Sequence, residues 1–219
     1  MSKKFPYSRV YVEITNLCNR NCSFCPGTLL ADRGQALIDA NVHKVNISIH
    51  SFEEGSNEDY VNYINSCLDF ADRASAAGII VVLRLWNNGY DEGRNISTLD
   101  LMKARFPWDW QEEPKGIRIQ HKLFIEHGDR FDWPDLGAAD GGDHVFCHGL
   151  RDHFGVLSDG TVVPCCLDHN GDIPLGNIHD RSVEEILNNP RAKAMTAGFS
   201  CRRATEELCR KCGYARRFG

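Results

Sequence analysis

Val10-Tyr11-Val12-Glu13-Ile14 runs directly into Thr15-Asn16-Leu17-Cys18-Asn19-Arg20-Asn21-Cys22-Ser23-Phe24-Cys25-Pro26, and this stretch decides the reading of the fold. The β-branched run reads as a strand. The loop that follows gathers three thiols. A CxxxCxxC spacing wraps thiolates around one face of a cubane iron-sulfur cluster and, with no fourth cysteine in the run, leaves one iron without a protein ligand. The competing reading is a structural zinc knuckle, although zinc sites normally take paired CxxC or CxxH arms and close four ligands.

Working outward, the 219-residue chain is long enough to bury a core in one medium domain, with or without a small appendage. With 42% hydrophobic and 25% charged residues it has the composition of a globular protein, which excludes a fibre or a disordered chain. A net charge of -5 argues against nucleic acid as a partner, because phosphate neutralisation needs clustered Lys and Arg. The basic residues Arg202, Arg203, Arg210, Lys211, Arg216 and Arg217 read as solvated charge near a cysteine cluster. No stretch has the length of an apolar membrane span. Lys3 and Lys4 are followed by Phe5-Pro6-Tyr7 and polar residues, not an apolar signal core, so a cytoplasmic location is expected. In that reducing compartment the ten cysteines are expected as metal ligands more than as disulfides.

Two regions are expected, 1–136 and 144–219, with the border in Gly137-Ala138-Ala139-Asp140-Gly141-Gly142-Asp143. In the first, Leu29 to Ala40 reads as a helix and His43 to Ile49 as a strand. Tyr60, Val61, Ile64, Cys67, Leu68, Ala71 and Ala74 recur at three- and four-residue steps, giving an amphipathic helix over 57–77 ended by Gly78. Ile79 to Leu85 reads as a buried strand, 95–105 as a helix, and Ile117 to Gln120 with Leu123 to Glu126 as the last strands. Alternating strands and helices imply parallel pairing through right-handed crossovers, an α/β architecture. The second region is expected to be loop-rich. It has a hairpin over Phe154 to Leu157 and Thr161 to Val163 turning on Asp159-Gly160, and one short helix at Val183 to Asn188. With little apolar content, it is expected to need a metal centre to hold it together.

The CxxxCxxC loop after a first strand resembles the radical S-adenosylmethionine (SAM) superfamily, and the implied fold is a partial β/α barrel of TIM-like type. The resemblance extends to the second cysteine set. Cys147, then Ser158-Asp159-Gly160 leading to Pro164-Cys165-Cys166, then Leu175-Gly176-Asn177-Ile178, then Cys209-Arg210-Lys211-Cys212, is similar to the SPASM and twitch extensions that carry auxiliary 4Fe-4S clusters. The resemblance implies two clusters. One would be held by Cys18, Cys22 and Cys25 with SAM at its open iron, and the other by Cys147, Cys165, Cys209 and Cys212 in a one-cluster, twitch-like arrangement. Cys165 is preferred to Cys166 because in the family the ligand follows the proline. Cys201 has no place in the pattern, and Cys67 reads as a buried helix residue. Four thiolates ending in CxxC would equally make a tetrahedral zinc site, and the residues alone leave both open. Asp168-His169-Asn170-Gly171-Asp172 alternates oxygen ligands as a calcium loop does, but Ile173 and His179 stand where that loop needs glycine and a carboxylate, so it reads as a polar loop.

The resemblance implies reductive cleavage of SAM to a 5'-deoxyadenosyl radical, hydrogen abstraction from a peptide or small-molecule substrate, and an auxiliary cluster that accepts an electron. An electron donor such as flavodoxin or ferredoxin is implied as a partner. Further SAM contacts are expected at the carboxyl ends of the parallel strands, where open α/β sheets bind ligands. Ser48 and His50 end one strand, Arg84 and Asn87 the next, and Ser48, Arg84 and Asn87 are the candidate cofactor-binding residues. Arg84 could pair with the SAM carboxylate or with an internal carboxylate such as Glu13. The resemblance breaks after the cluster loop. Only nineteen residues separate Cys25 from Val45, whereas the family normally places two further strands and a GGE-type motif there, and Gly27-Thr28-Leu29-Leu30 looks like the tail of the family's TNGTLL turn. The barrel is thus expected to be truncated, with a block missing between about residues 26 and 30. A noncatalytic iron-sulfur or zinc-binding remnant is the alternative.

Overall fold

A computed structural model describes residues 9–12, 30–51, 56–91, 93–114 and 116–218. The chain divides into two compact units, residues 25–130 and residues 1–24 with 131–219. The division falls after Arg130, a few residues before the glycine and aspartate cluster.

In the unit of residues 25–130, α1 (Leu30–Asp39) leads to β2 (Lys44–Ile47) and a single 3-10 turn (Ile49–Ser51). Helix α2 (Asn57–Ala76) starts at a capping box in which Ser56 Oγ accepts from Asp59 N–H at 3.1 Å and Ser56 N–H donates to Asp59 at 2.9 Å. It stops at Gly78, whose φ of +93° a side chain would oppose, and Ile79 N–H returns to the Ala74 carbonyl at 3.0 Å. Strand β3 (Ile80–Asn88), helix α3 (Arg94–Arg105) and strands β4 (Gln111–Glu113), β5 (Gly116–Gln120) and β6 (Leu123–Asp129) complete the unit. The strand order is β2-β3-β6-β5-β4.

Pairing is parallel for β2/β3 and β3/β6, and antiparallel for β5/β6 and β4/β5. The expectation of parallel pairing throughout therefore fails at the far edge. Only His121 and Lys122 join β5 to β6, which closes a hairpin and is far too short for a crossover. The sheet is α/β and mixed. One face, Val45, Ile47, Val81, Leu83, Leu85, Leu123 and Ile125, joins Ile64, Leu68, Phe70 and Ala71 of α2 in the core. The alternate positions Asn46, Arg84, Trp86 and Glu126 are only half-buried, as the twofold period of a strand requires.

In the other unit, β1 (Arg9–Val12) lies parallel to β7 (His153–Val156), which forms the expected hairpin with β8 (Thr161–Val163), and β9 (Gly176–Asn177) adds the edge. The hairpin turns as the sequence dictates. Thr161 N–H donates to Asp159 Oδ1 at 2.9 Å and Gly160 takes φ +87°. The strand expected at 10–14 thus pairs with the hairpin, and residues 13 and 14 lie outside the described residues. After α4 (Val183–Leu187) comes an unexpected helix, α5 (Pro190–Ser200), and then α6 (Glu207–Arg210). Ala192, Met195 and Phe199 of α5 join Phe154, Val156, Val162, Ile173, Leu175, Ile186 and Leu208 in a buried core. This half of the chain has apolar content of its own, contrary to the expectation.

Candidate metal centre

Three stretches of the chain present thiols to one another. Cys147 precedes β7, Cys165 follows β8 after Pro164, and Cys209 and Cys212 flank the end of α6. Burial pushes the Cys147 thiol up to about 11, and Cys212 adds to the rise. Burial raises Cys165 well above the ordinary thiol range, with Cys166, Cys147 and Cys209 adding to it. Cys209 is raised in the same way, first by burial and then by Cys147 and Cys212, and Cys212 chiefly by burial. These four thiols are therefore electrostatic neighbours in a poorly hydrated place. Among the described residues, no three His, Cys, Asp or Glu side chains are drawn together as ligands of a metal ion.

The chemistry of the set still fits a thiolate-bound cluster. Ionising several buried thiols without a cation is costly, and a bound metal supplies the compensating charge. The backbone is shaped around the sulfurs as well. Gly149 N–H donates to Cys147 Sγ at 3.2 Å, and a Cβ at Gly149 would stand 3.3 Å from that sulfur, 3.1 Å from the Pro164 carbonyl oxygen and 3.6 Å from Cys165 Cβ. Cys201 is exposed. The polar loop after Cys166 closes on Asp168, whose buried carboxylate accepts from Asp172 N–H at 2.8 Å and Ile173 N–H at 2.9 Å. Its role is to hold the loop's backbone, which its calcium-like spacing concealed. Gly149 and Asp168 are the contributors that sequence reading missed, and the only available signal was their closeness to Cys147 and Cys166.

Cys18, Cys22 and Cys25 lie outside the described residues. The candidate SAM contacts lie in the unit of residues 25–130: Ser48 directly follows β2 and Asn87 is next to the end of β3, but Arg84, expected at a strand end, stands in the middle of β3, which runs on to Asn88. Arg84 pairs with Glu126 at 3.4 Å across the β3/β6 register and stacks 4.3 Å above the Trp86 ring. The carboxylate beside it is that of Glu126, and Glu13, the partner suggested by the sequence, lies outside the described residues. His50 Nδ1 lies 2.9 Å from the Arg84 carbonyl oxygen, the Ser48 carbonyl accepts from Tyr63 Oη at 3.3 Å, and Asn87 exchanges amide hydrogen bonds with Asn95 at 3.1 and 2.9 Å. Among the described residues, the buried Asn46 Oδ1 on the Arg84 face of the sheet has no hydrogen-bond partner. Trp108 and Trp110 donate their indole N–H groups to the carbonyls of Ile119 and Phe106, so both are tied to backbone.

Residues 147–213 match the SPASM family, described as an iron-sulfur cluster-binding domain. No curated protein matches the sequence. Similar solved structures include BtrN in complex with AdoMet and 2-DOIA (14% identity, 94% of this chain and 92% of that one, TM-score 0.45). Others are anSMEcpe with bound AdoMet (15%, 86% and 60%, TM-score 0.37) and SuiB of Streptococcus suis (12%, 84% and 42%, TM-score 0.31). Among the described residues no helix is long and apolar enough to cross a membrane.

Proposed function

We propose that the chain is a radical SAM protein whose residues 147–213 form a SPASM domain, an iron-sulfur oxidoreductase or maturase carrying two 4Fe-4S clusters, one on Cys18, Cys22 and Cys25 and an auxiliary one on Cys147, Cys165, Cys209 and Cys212. The observation that carries the reading is the set of four neighbouring thiols inside the matched domain, Cys212 buried and Cys147, Cys165 and Cys209 half-buried, combined with the CxxxCxxC loop upstream. When bound, the first cluster supplies the electron that cleaves SAM to a 5'-deoxyadenosyl radical able to abstract a hydrogen from a peptide or small-molecule substrate.

The chain's own residues bind and orient. Cys165 is taken as the ligand in preference to Cys166 because it directly follows Pro164, and its thiol neighbours those of Cys147 and Cys209. Arg84, rigidified by Trp86 and Glu126, offers a guanidinium to the SAM carboxylate, with Ser48 and Asn87 at neighbouring strand ends. Cys147, Cys165, Cys209 and Cys212 would hold the auxiliary cluster, which would supply an electron-accepting group, and an electron donor such as flavodoxin or ferredoxin would be the partner. The truncated barrel belongs to this reading, as does a reducing cytoplasm, where such thiolates stay intact. The short interval between Cys25 and Val45 favours one second reading, a noncatalytic iron-sulfur or zinc-binding remnant. Production of 5'-deoxyadenosine from SAM under a strong reductant decides between them. The enzyme gives turnover that stops in Cys22→Ala, and the remnant gives none.

A further inference from the structure

The thiols of the C-terminal set come from separate stretches, and Cys209 lies on the short α6, whose far end is held by the pair of Arg210 with Asp140 and by Lys211 on the Leu136 carbonyl, and whose start is held by an ion pair of its own. Arg191, in the first turn of α5, donates from Nε and Nη2 to the two carboxylate oxygens of Glu206 at 2.9 and 2.8 Å, and from Nη1 to the Pro174 carbonyl at 3.2 Å. Glu206 is the residue before α6, three before Cys209. Pro174 directly follows the loop that Asp168 closes after Cys165 and Cys166. The same edge is fastened a second time, where Asn189 Nδ2 donates to the Leu175 carbonyl at 2.6 Å. A bidentate fork fixes direction as well as distance, which a point charge does not. The Glu206 side chain is 20% exposed and that of Arg191 41%, so the pair is partly screened by solvent. Asp168 and Cys209 add to the rise of the Arg191 pKa, whose first cause is the hydrogen bond with Glu206.

Building on the iron-sulfur reading of the four thiols, we infer that Arg191 is a positioning residue of the C-terminal centre. Its fork ties the start of α6, and with it Cys209, to the segment that follows Cys165, and its positive charge offsets the Glu206 carboxylate beside Cys209, which favours the reduced state of a cluster held there. Two effects follow from one side chain, and they separate on substitution. Arg191→Gln removes the fork and the charge. Arg191→Lys keeps the charge and removes the fork.

The test uses the full chain with Cys18, Cys22 and Cys25 replaced by Ala, so that the C-terminal centre alone contributes, reconstituted anaerobically with iron and sulfide. The readouts are iron retained against a chelator and the midpoint potential from a titration followed by electron paramagnetic resonance. Arg191→Gln is expected to surrender its iron at about tenfold lower chelator concentration, the usual cost of losing a residue that orients a metal ligand, and its midpoint shifts to more negative potential. Arg191→Lys surrenders iron as readily but keeps the parent's midpoint, and it carries the test if Arg191→Gln does not fold. Arg203→Gln breaks the exposed pair with Asp143 in the same unit and changes neither readout. Unchanged retention in Arg191→Gln, firm retention in Arg191→Lys, or an equal loss in Arg203→Gln overturns the inference while leaving the cluster reading intact. A colourless parent overturns the cluster reading, and the inference falls with it.

Discussion

At Gly149 the space reserved for sulfur can be tested with a single methyl group. Gly149→Ala places a carbon 3.3 Å from Cys147 Sγ and 3.1 Å from a carbonyl oxygen, both tighter than ordinary contact. The variant is expected to retain less iron than wild type after reconstitution, while its far-ultraviolet circular dichroism is unchanged. Among the cysteines, Cys165→Ser is expected to abolish the auxiliary centre, whereas Cys166→Ser and the exposed Cys201→Ser leave the iron content of wild type. Iron and acid-labile sulfide per chain check all three. An iron loss in Cys166→Ser equal to that in Cys165→Ser would assign the ligand wrongly. Residue types and spacing made the thiols legible. They could not reveal that Arg84 would face Glu126, because the two become neighbours only once β3 and β6 pair.

Local signals at the scale of elements were readable where they were dense. The α2 periodicity and Gly78 stop, and the Asp159-Gly160 hairpin, agree with the structure to within a few residues. Helix α5 was missed although Asn189 and Pro190 are a helix start, because its apolar residues are sparse and Gly198 interrupts them. Asn189→Ala removes the cap on Ala192 N–H at 2.7 Å together with the bond to Leu175. It is expected to cost about 1–2 kcal/mol in denaturant unfolding. Gly34→Ala in α1 tests the opposite balance. Alanine favours the helix by up to about 1 kcal/mol, but its Cβ would stand 2.6 Å from the fully buried Phe70 ring. Overpacking at about 1–3 kcal/mol outweighs that gain, so the variant is expected to melt at lower temperature than wild type. The Arg191 and Glu206 pair adds a pH dependence. The hydrogen bonds from Arg191 lower the Glu206 pKa, so the pair's contribution to stability is fully present above the ordinary glutamate range near about 4.3 and is lost as pH falls through and below it. Melting between pH 7 and 3 should show this loss in wild type and a shallower one in Arg191→Gln.

For the whole molecule, what the sequence hid is long-range. The pairing of β1 with β7 joins positions 144 residues apart, Arg9 with His153 and Val12 with Val156, and no local periodicity encodes it. Parallel β2, β3 and β6 were anticipated from the strand and helix order, and the hairpin edge was not, because a two-residue connection outweighs an alternation rule. Two thiolate centres on one chain are the claim on which the rest stands. The most direct measurement of it is iron and acid-labile sulfide per chain after anaerobic reconstitution, for wild type and for the variant with Cys18, Cys22 and Cys25 replaced by Ala. The account predicts about eight iron and eight sulfide in wild type, about four of each in the variant, and a brown colour in both. A colourless variant that binds one zinc and no sulfide would contradict it.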